Sequence, residues 1–184
     1  MATARLTDKT NLASNADKAD LFYVVDTSDT TGSSAGTSKK VLSKYMIQTD
    51  KISMSNAEII ALDDGGASGE YKELIAAPGA GYMIVPLQAT MICVGAGATE
   101  SANIDLYMGF KETGTSQFWS YWRRFANTLA AAAVVTYSGN GTISTTGAMP
   151  STIANTNFKV WSGGTFNGGW GMDIYITYQI VKMT

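Results

Sequence analysis

Three stretches of this chain alternate apolar and polar residues with a period of two. Met83, Val85, Leu87, Ala89, Met91 and Cys93 share one phase of a run whose other phase carries Gln88 and Thr90. Ile104, Leu106, Met108 and Phe110 alternate with Asn103, Asp105 and Tyr107, and Ile174, Ile176, Tyr178 and Ile180 alternate with Asp173, Tyr175, Thr177 and Gln179. Successive side chains of a strand leave opposite faces of a sheet, so this pattern demands sheets with one face on a core. Shorter β-prone runs occur at 117–124, 134–137, 142–145 and 158–161. Asn140-Gly141 lies between two of them, where both residues can take positive φ and close a hairpin. Gly79-Ala80-Gly81 and Gly95-Ala96-Gly97 read as tight turns, and Gly163-Gly164 and Asn167-Gly168-Gly169 punctuate the last part. The alanines after Leu129 leave room for one helical turn. With no βαβ rhythm and no solenoid period, the expected class is mainly β, an antiparallel β-sandwich.

Charge divides the chain. Acids and bases are frequent before about residue 73, but after Glu112 the only acidic residue is Asp173. The expected organisation is an N-terminal segment over 1–47, a linker with a short helix over 48–70, and the sandwich over 71–184. In the first segment Leu21–Asp26 reads as a strand, followed by a turn-rich Ser/Thr/Gly loop and then, over 38–47, a second strand or a strand leading into a short helix. Two strands are marginal alone in water, so the segment is expected to dock on something. Ser55-Asn-Ala-Glu58 fits a helix capping box, and Asp63-Asp64-Gly65-Gly66 stops that helix. Charged residues make up only 15% of the chain, against about 25% in an ordinary soluble protein. A surface covered by Ser, Thr, Asn and Gly, which this sequence also supplies, is one answer to that shortage; burial of surface between copies is the favoured one.

Several chemistries are excluded by composition. The chain has no histidine and one cysteine, so Ser-His-Asp and Cys-His nucleophile systems, a His/Cys zinc site and an intrachain disulfide cannot be built. Cys93 sits in an apolar run and reads as a small buried hydrophobe. The net charge is −2 and the pI near 5.0, with no basic cluster beyond Lys39-Lys40 and Arg123-Arg124, so nucleic-acid binding is not expected. The longest apolar run, 129–135, is far short of the ~20 residues that span a bilayer. The N-terminus lacks the apolar segment of a secretory signal, giving the expectation of a soluble protein made in a cytoplasm; for the same reason the Asn140-Gly141-Thr142 sequon reads as incidental. Glu70, Glu73, Asp105, Glu112 and Asp173 show no spacing that marks a catalytic pair, and Asp63-Asp64 lacks a calcium-ligand ladder. No catalytic residue, metal or cofactor is expected. The most distinctive local feature is Phe118-Trp119-Ser120-Tyr121-Trp122-Arg123-Arg124-Phe125, in which simple alternation puts Trp119 and Tyr121 on one face and Phe118 and Trp122 on the other. Flat rings suit sugar faces, which makes Trp119, Tyr121, Trp161 and Trp170 the candidate ligand surface.

Ala19-Asp20-Leu21-Phe22-Tyr23-Val24-Val25-Asp26, a Ser/Gly-rich gap, and Thr37-Ser38-Lys39-Lys40-Val41-Leu42 together resemble a short motif near the N-termini of tailed-phage fibre and virion-associated proteins. The stretch from Tyr71 to Tyr82 looks like the opening of a β-sandwich head domain in the same kind of protein. The resemblance covers roughly a third of the chain. It implies a virion component attached to capsid or tail proteins through Asp20 to Asp26 and Ser38 to Leu42. It also implies a jelly-roll-like, commonly trimeric C-terminal domain. Two readings compete with it: a receptor-binding module that recognises host surface carbohydrate through Trp119, Tyr121, Trp161 or Trp170, and, as a minor alternative, a polysaccharide-cleaving enzyme. The short interval between motif and head departs from long tail fibres and points to a compact decoration, head-fibre or short tail-fibre protein.

Overall fold

A computed structural model describes residues 21–26, 28, 31, 37–42, 46–63, 70–95, 97, 99–110, 118–127, 129, 134–139 and 153–183. The expected hairpin at Asn140-Gly141, the strand over 142–145 and most of the alanine run lie outside these residues. The chain divides into two compact units, Met1–Met46 and Ile47–Thr184. In the first, strands β1 (Leu21–Asp26) and β2 (Thr37–Leu42) pair antiparallel, with Leu21 opposite Leu42 and Asp26 opposite Thr37.

The second unit runs β3 (Gln48–Met54), α1 (Asn56–Ile60), β4 (Tyr71–Ile75), β5 (Tyr82–Gly95), β6 (Leu106–Gly109), β7 (Phe118–Trp122), β8 (Val134–Gly139), β9 (Phe158–Ser162) and β10 (Trp170–Lys182). Two four-stranded sheets form, in the orders β3-β10-β5-β8 and β4-β9-β6-β7. Every pairing is antiparallel. β3 pairs with β10, β4 with β9, β5 with β8 and β6 with β7, as in one long antiparallel ribbon whose chain reverses between β6 and β7. Rolling that ribbon adds the contacts of β10 with β5 and of β9 with β6. The result is a jelly roll, a sandwich of two sheets that interleave the two halves of the chain.

The expectation of a linker over 48–70 is corrected at its start, where Gln48–Met54 is an edge strand of the first sheet. Its alternation is short and half polar. Thr49, Lys51 and Ser53 are exposed, and Asp50 and Gln48 face inward at the open end of the sandwich, where both accept from the hydroxyl of buried Tyr178, at 2.9 and 3.0 Å. An inward charge of this kind guards a sheet edge against pairing with other chains. The capping box follows directly. Ser55 Oγ accepts from the Glu58 amide and a Glu58 carboxylate oxygen accepts from the Ser55 amide at 2.9 Å, while Ile59 is fully buried.

The core lies between the sheets. Ile84, Ala89, Met91 and Cys93 of β5, Ile174, Ile176 and Tyr178 of β10, Leu106 and Met108 of β6, and Phe158 and Val160 of β9 are all completely buried. β10 keeps the expected phase throughout. β5 does not, because Thr177 and Tyr178 of β10 stand opposite Gln88 and Pro86, so that Leu87 is an extra, bulged residue. Each bulge shifts the strand's phase by one residue. Before it the core residue is Ile84 and after it Ala89; Met83 and Val85 are only part-buried, and Leu87 is exposed. A second bulge places Ser120 opposite Met108 and Phe118 opposite Gly109, leaving Trp119 as the extra residue. Glycine eases this close approach, since a Cβ on Gly109 would lie 3.0 Å from both the Phe118 Cα and the Trp119 amide nitrogen.

The helix cap gives a pH dependence. The Lys72 ammonium ion-pairs with Glu58, and together with the Ser55 amide and hydroxyl it lowers the carboxyl from the ordinary 4.5 to about 2. A depressed carboxylate stabilises the fold above its unfolded-state pKa and loses that contribution as pH falls through its folded-state pKa. The urea midpoint of the wild type is therefore expected to fall relative to that of Glu58→Gln as pH drops from 4.5 toward 2. The exposed setting keeps the effect small, and parallel midpoints across that window would show that the pair contributes nothing.

Candidate functional site

The two halves of the N-terminal motif are separated in sequence by a loop but stand side by side in the ribbon. Phe22 is opposite Val41, Tyr23 opposite Lys40, Val24 opposite Lys39 and Val25 opposite Ser38. Lys39 is exposed, and Asp20 lies outside the described residues. Among the described residues no third strand joins this ribbon.

The aromatic candidates separate sharply. Tyr71, Trp161, Tyr107 and Tyr121 stand at matching registers straight across β4-β9-β6-β7. Tyr107 stacks on Trp161 at 5.9 Å and on Tyr121 at 6.0 Å, and Phe118 closes on Tyr121 at 4.9 Å. The Lys159 ammonium, on a buried side chain, sits 4.2 Å from the centre of the Tyr71 ring, a cation–π contact. The bulge in β7 overturns the simple alternation of this segment. Phe118 and Tyr121 share the face of Tyr107, while Trp119 and Trp122 pack with the core. Trp119, Trp161 and Trp170 are 5%, 1% and 0% exposed, against 48% for Tyr121. Three of the four rings expected as a ligand surface therefore present no face to a sugar.

Glu100, which no sequence pattern singled out, is completely buried and takes four N–H donors. The Ala102 amide donates at 2.8 Å, the Asn167 amide at 3.3 Å, the Gly168 amide at 3.1 Å and the Trp170 indole at 2.9 Å. This carboxylate ties the β5–β6 connection to the β9–β10 loop at one end of the sandwich. Asn56 of α1 holds the same loop by accepting from the Gly169 amide at 2.7 Å. Gly168 has φ +82°, and a Cβ there would lie 2.6 Å from the Asn56 oxygen and 2.7 Å from Ile60, so this turn requires glycine. Removing the carboxylate would orphan up to four donors, at about 1–3 kcal/mol for each that water does not reach.

The other carboxylates serve local bonds. Glu73 accepts from the Asn157 amide at 2.6 Å, Asp105 from the Arg124 backbone amide at 2.8 Å, and Asp173 from Ser53 at 2.6 Å with an ion pair to Lys51 at 2.8 Å. Asp105 borders β6 and Asp173 lies in β10, so they belong to different sheets; Glu112 lies outside the described residues. Among the described residues no three His, Cys, Asp or Glu side chains cluster to hold a metal, and no helix is long and apolar enough to cross a membrane. Cys93 is buried, and desolvation pushes its thiol up to about 12, which suits a packing residue and not a nucleophile.

No protein-family model and no curated protein matches the chain. Solved structures similar to it include the capsid asymmetric unit of cyanophage Pam1, at 10% identity over 97% of this chain and 99% of that one, with a TM-score of 0.39. Cocksfoot mottle virus is similar at 12% identity over 76% and 83%, with a TM-score of 0.33. The VP2 subviral particle of infectious bursal disease virus follows at 11% over 80% and 40%, with a TM-score of 0.29. All three scores are low, and the jelly-roll assignment rests on the strand order alone.

Two measurements check this picture. Tyr107→Ala removes the middle ring of the aromatic row and is expected to cost about 3 kcal/mol in urea unfolding, whereas Tyr121→Ala at the exposed end costs about 1 kcal/mol or less. Equal losses would mean that the row does not act through Tyr107. A maleimide reagent is expected to leave Cys93 unlabelled in the native chain at mildly alkaline pH and to label it fully in denaturant; rapid native labelling would contradict the buried, raised thiol.

Proposed function

We propose that this chain is a structural component of a bacteriophage particle, a capsid decoration, head-fibre or short tail-fibre protein. In this reading it attaches through its N-terminal ribbon and displays a homotrimeric jelly roll. The observation that carries the reading is the pairing of β1 with β2. It unites Leu21–Asp26 and Ser38–Leu42, the residues of the virion-type motif, in one small unit that precedes a jelly roll. Fold alone does not set function, so the weight falls on the motif. A two-stranded ribbon is marginal by itself, and an added strand from a capsid or tail protein would stabilise it by β-pairing. The work is mechanical, done by packing and β-pairing, and no bond chemistry is assigned. Host-glycan recognition is not advanced, because Trp119, Trp161 and Trp170 are buried.

Light scattering of the full chain is expected to give three times its 19.5 kDa mass. Antibody against the chain is expected to decorate particles released from the cells that make it, and Val24→Pro together with Tyr23→Pro is expected to abolish that decoration. A monomeric mass removes the trimer. Label confined to the soluble fraction removes the virion role.

A further inference from the structure

We propose that Asn167-Gly168 is a latent deamidation site that the buried carboxylate of Glu100 keeps silent. An asparagine followed by glycine is chemically labile because glycine has no side chain to shield its backbone nitrogen. That nitrogen loses its proton and attacks the asparagine Cγ. The new C–N bond closes a succinimide while the Cγ–Nδ2 bond breaks and ammonia leaves. Water then opens the ring to aspartate or isoaspartate. The reaction needs a released Gly168 amide and an Asn167 side chain able to swing over it.

The fold holds both partners. The Gly168 N–H donates to Glu100 Oε2 at 3.1 Å in a buried setting, and the Asn167 N–H donates to Glu100 Oε1 at 3.3 Å. The Asn167 side-chain amide donates to Ser101 Oγ at 2.7 Å, which draws the leaving group toward the β5–β6 connection. The next residue is pinned as well, by the bond from the Gly169 amide to Asn56. Attack by Gly168 must break its bond to Glu100, in a turn at φ +82° where a side chain at this position would collide with Asn56 and Ile60. Asn167 itself is exposed, so water and base reach the site and the restraint is the hydrogen-bonded geometry. Conversion would undo the latch, because isoaspartate inserts a methylene into the main chain. That shift moves Gly168, Gly169 and Trp170 away from the acceptors that hold them.

The test is peptide mapping of the full chain by mass spectrometry after incubation in mildly alkaline buffer, scoring aspartate plus isoaspartate at position 167. The reference is the same chain unfolded in urea. Native wild type is expected to convert about tenfold or more slowly than the unfolded chain, as for a reaction that requires local opening. Glu100→Gln replaces one acceptor oxygen with an amide NH2 group that faces the donors, and is expected to raise the native rate about tenfold. Ser101→Ala frees only the side-chain amide and is expected to give a smaller rise with unchanged near-UV circular dichroism. Native conversion at the unfolded rate overturns the proposal, as does a folded Glu100→Gln chain that converts no faster than wild type. Should Glu100→Gln fail to fold, the native-to-unfolded ratio together with Ser101→Ala decides the matter. None of these outcomes depends on the virion reading.

Discussion

The long ladder between β5 and β10 is the constraint on which the jelly roll depends. These strands, of 14 and 13 residues, pair from Trp170 opposite Gly95 to Lys182 opposite Tyr82. They bring residues 82–95 against residues 170–182, so closing this pair orders most of the chain between them, with an entropic cost that grows only slowly with loop length. Both strands also carry the other two members of their sheet, β3 on β10 and β8 on β5. A jelly roll has no local nucleus comparable to a tight hairpin. Its stability comes from non-local pairs that bury Ile84, Met91, Ile174 and Ile176 together, which implies slow folding for the chain's size.

The sheets were legible where alternation ran without interruption, as along Ile174, Ile176 and Tyr178, and where composition was unambiguous, as along Leu21–Asp26. The capping box at Ser55 and Glu58 was also legible, because both of its bonds are local. The phase of β5 was not. Leu87 belongs to the same alternation as Ala89 and Met91 in sequence, yet the bulge turns it outward and brings Ile84 inward. The same holds for Trp119, whose neighbours change faces because Gly109 lets the backbone of β7 approach. A bulge is decided by the partner strand, and a single strand's pattern carries no record of it.

Glu100 illustrates the opposite limit. One acidic residue in a stretch rich in Gly, Ala, Thr and Ser looks like an exposed loop charge, and burial of an unpaired carboxylate is costly. Here it is tolerated because four N–H groups replace water, three of them from the loop around Gly168 and Trp170. Charge-assisted hydrogen bonds of this kind are the strong ones. They set the end of the sandwich much as the aromatic row through Trp161 and Tyr107 sets the outer face of β4-β9-β6-β7.

The outer face of the other sheet explains how so few charges suffice. Thr49 bonds Thr177 at 2.9 Å, Thr90 bonds Ser138 at 3.2 Å, and Gln88 donates to Ser138 at 3.4 Å, a lattice of hydroxyl and amide groups across β3-β10-β5-β8. An ion pair on this face joins Lys51 of β3 to Asp173 of β10. On the β5–β8 half, Thr90, Ile92, Val94, Val134, Thr136 and Ser138 carry no charge at all. Hydroxyls keep a sheet wet without net charge, so a low charge fraction does not by itself require neighbouring copies. What the hydroxyls leave uncovered is the cross-strand pair Val94 and Val134, exposed at 47% and 64%. If copies of this chain meet through this sheet, that charge-free half is where burial costs least desolvation.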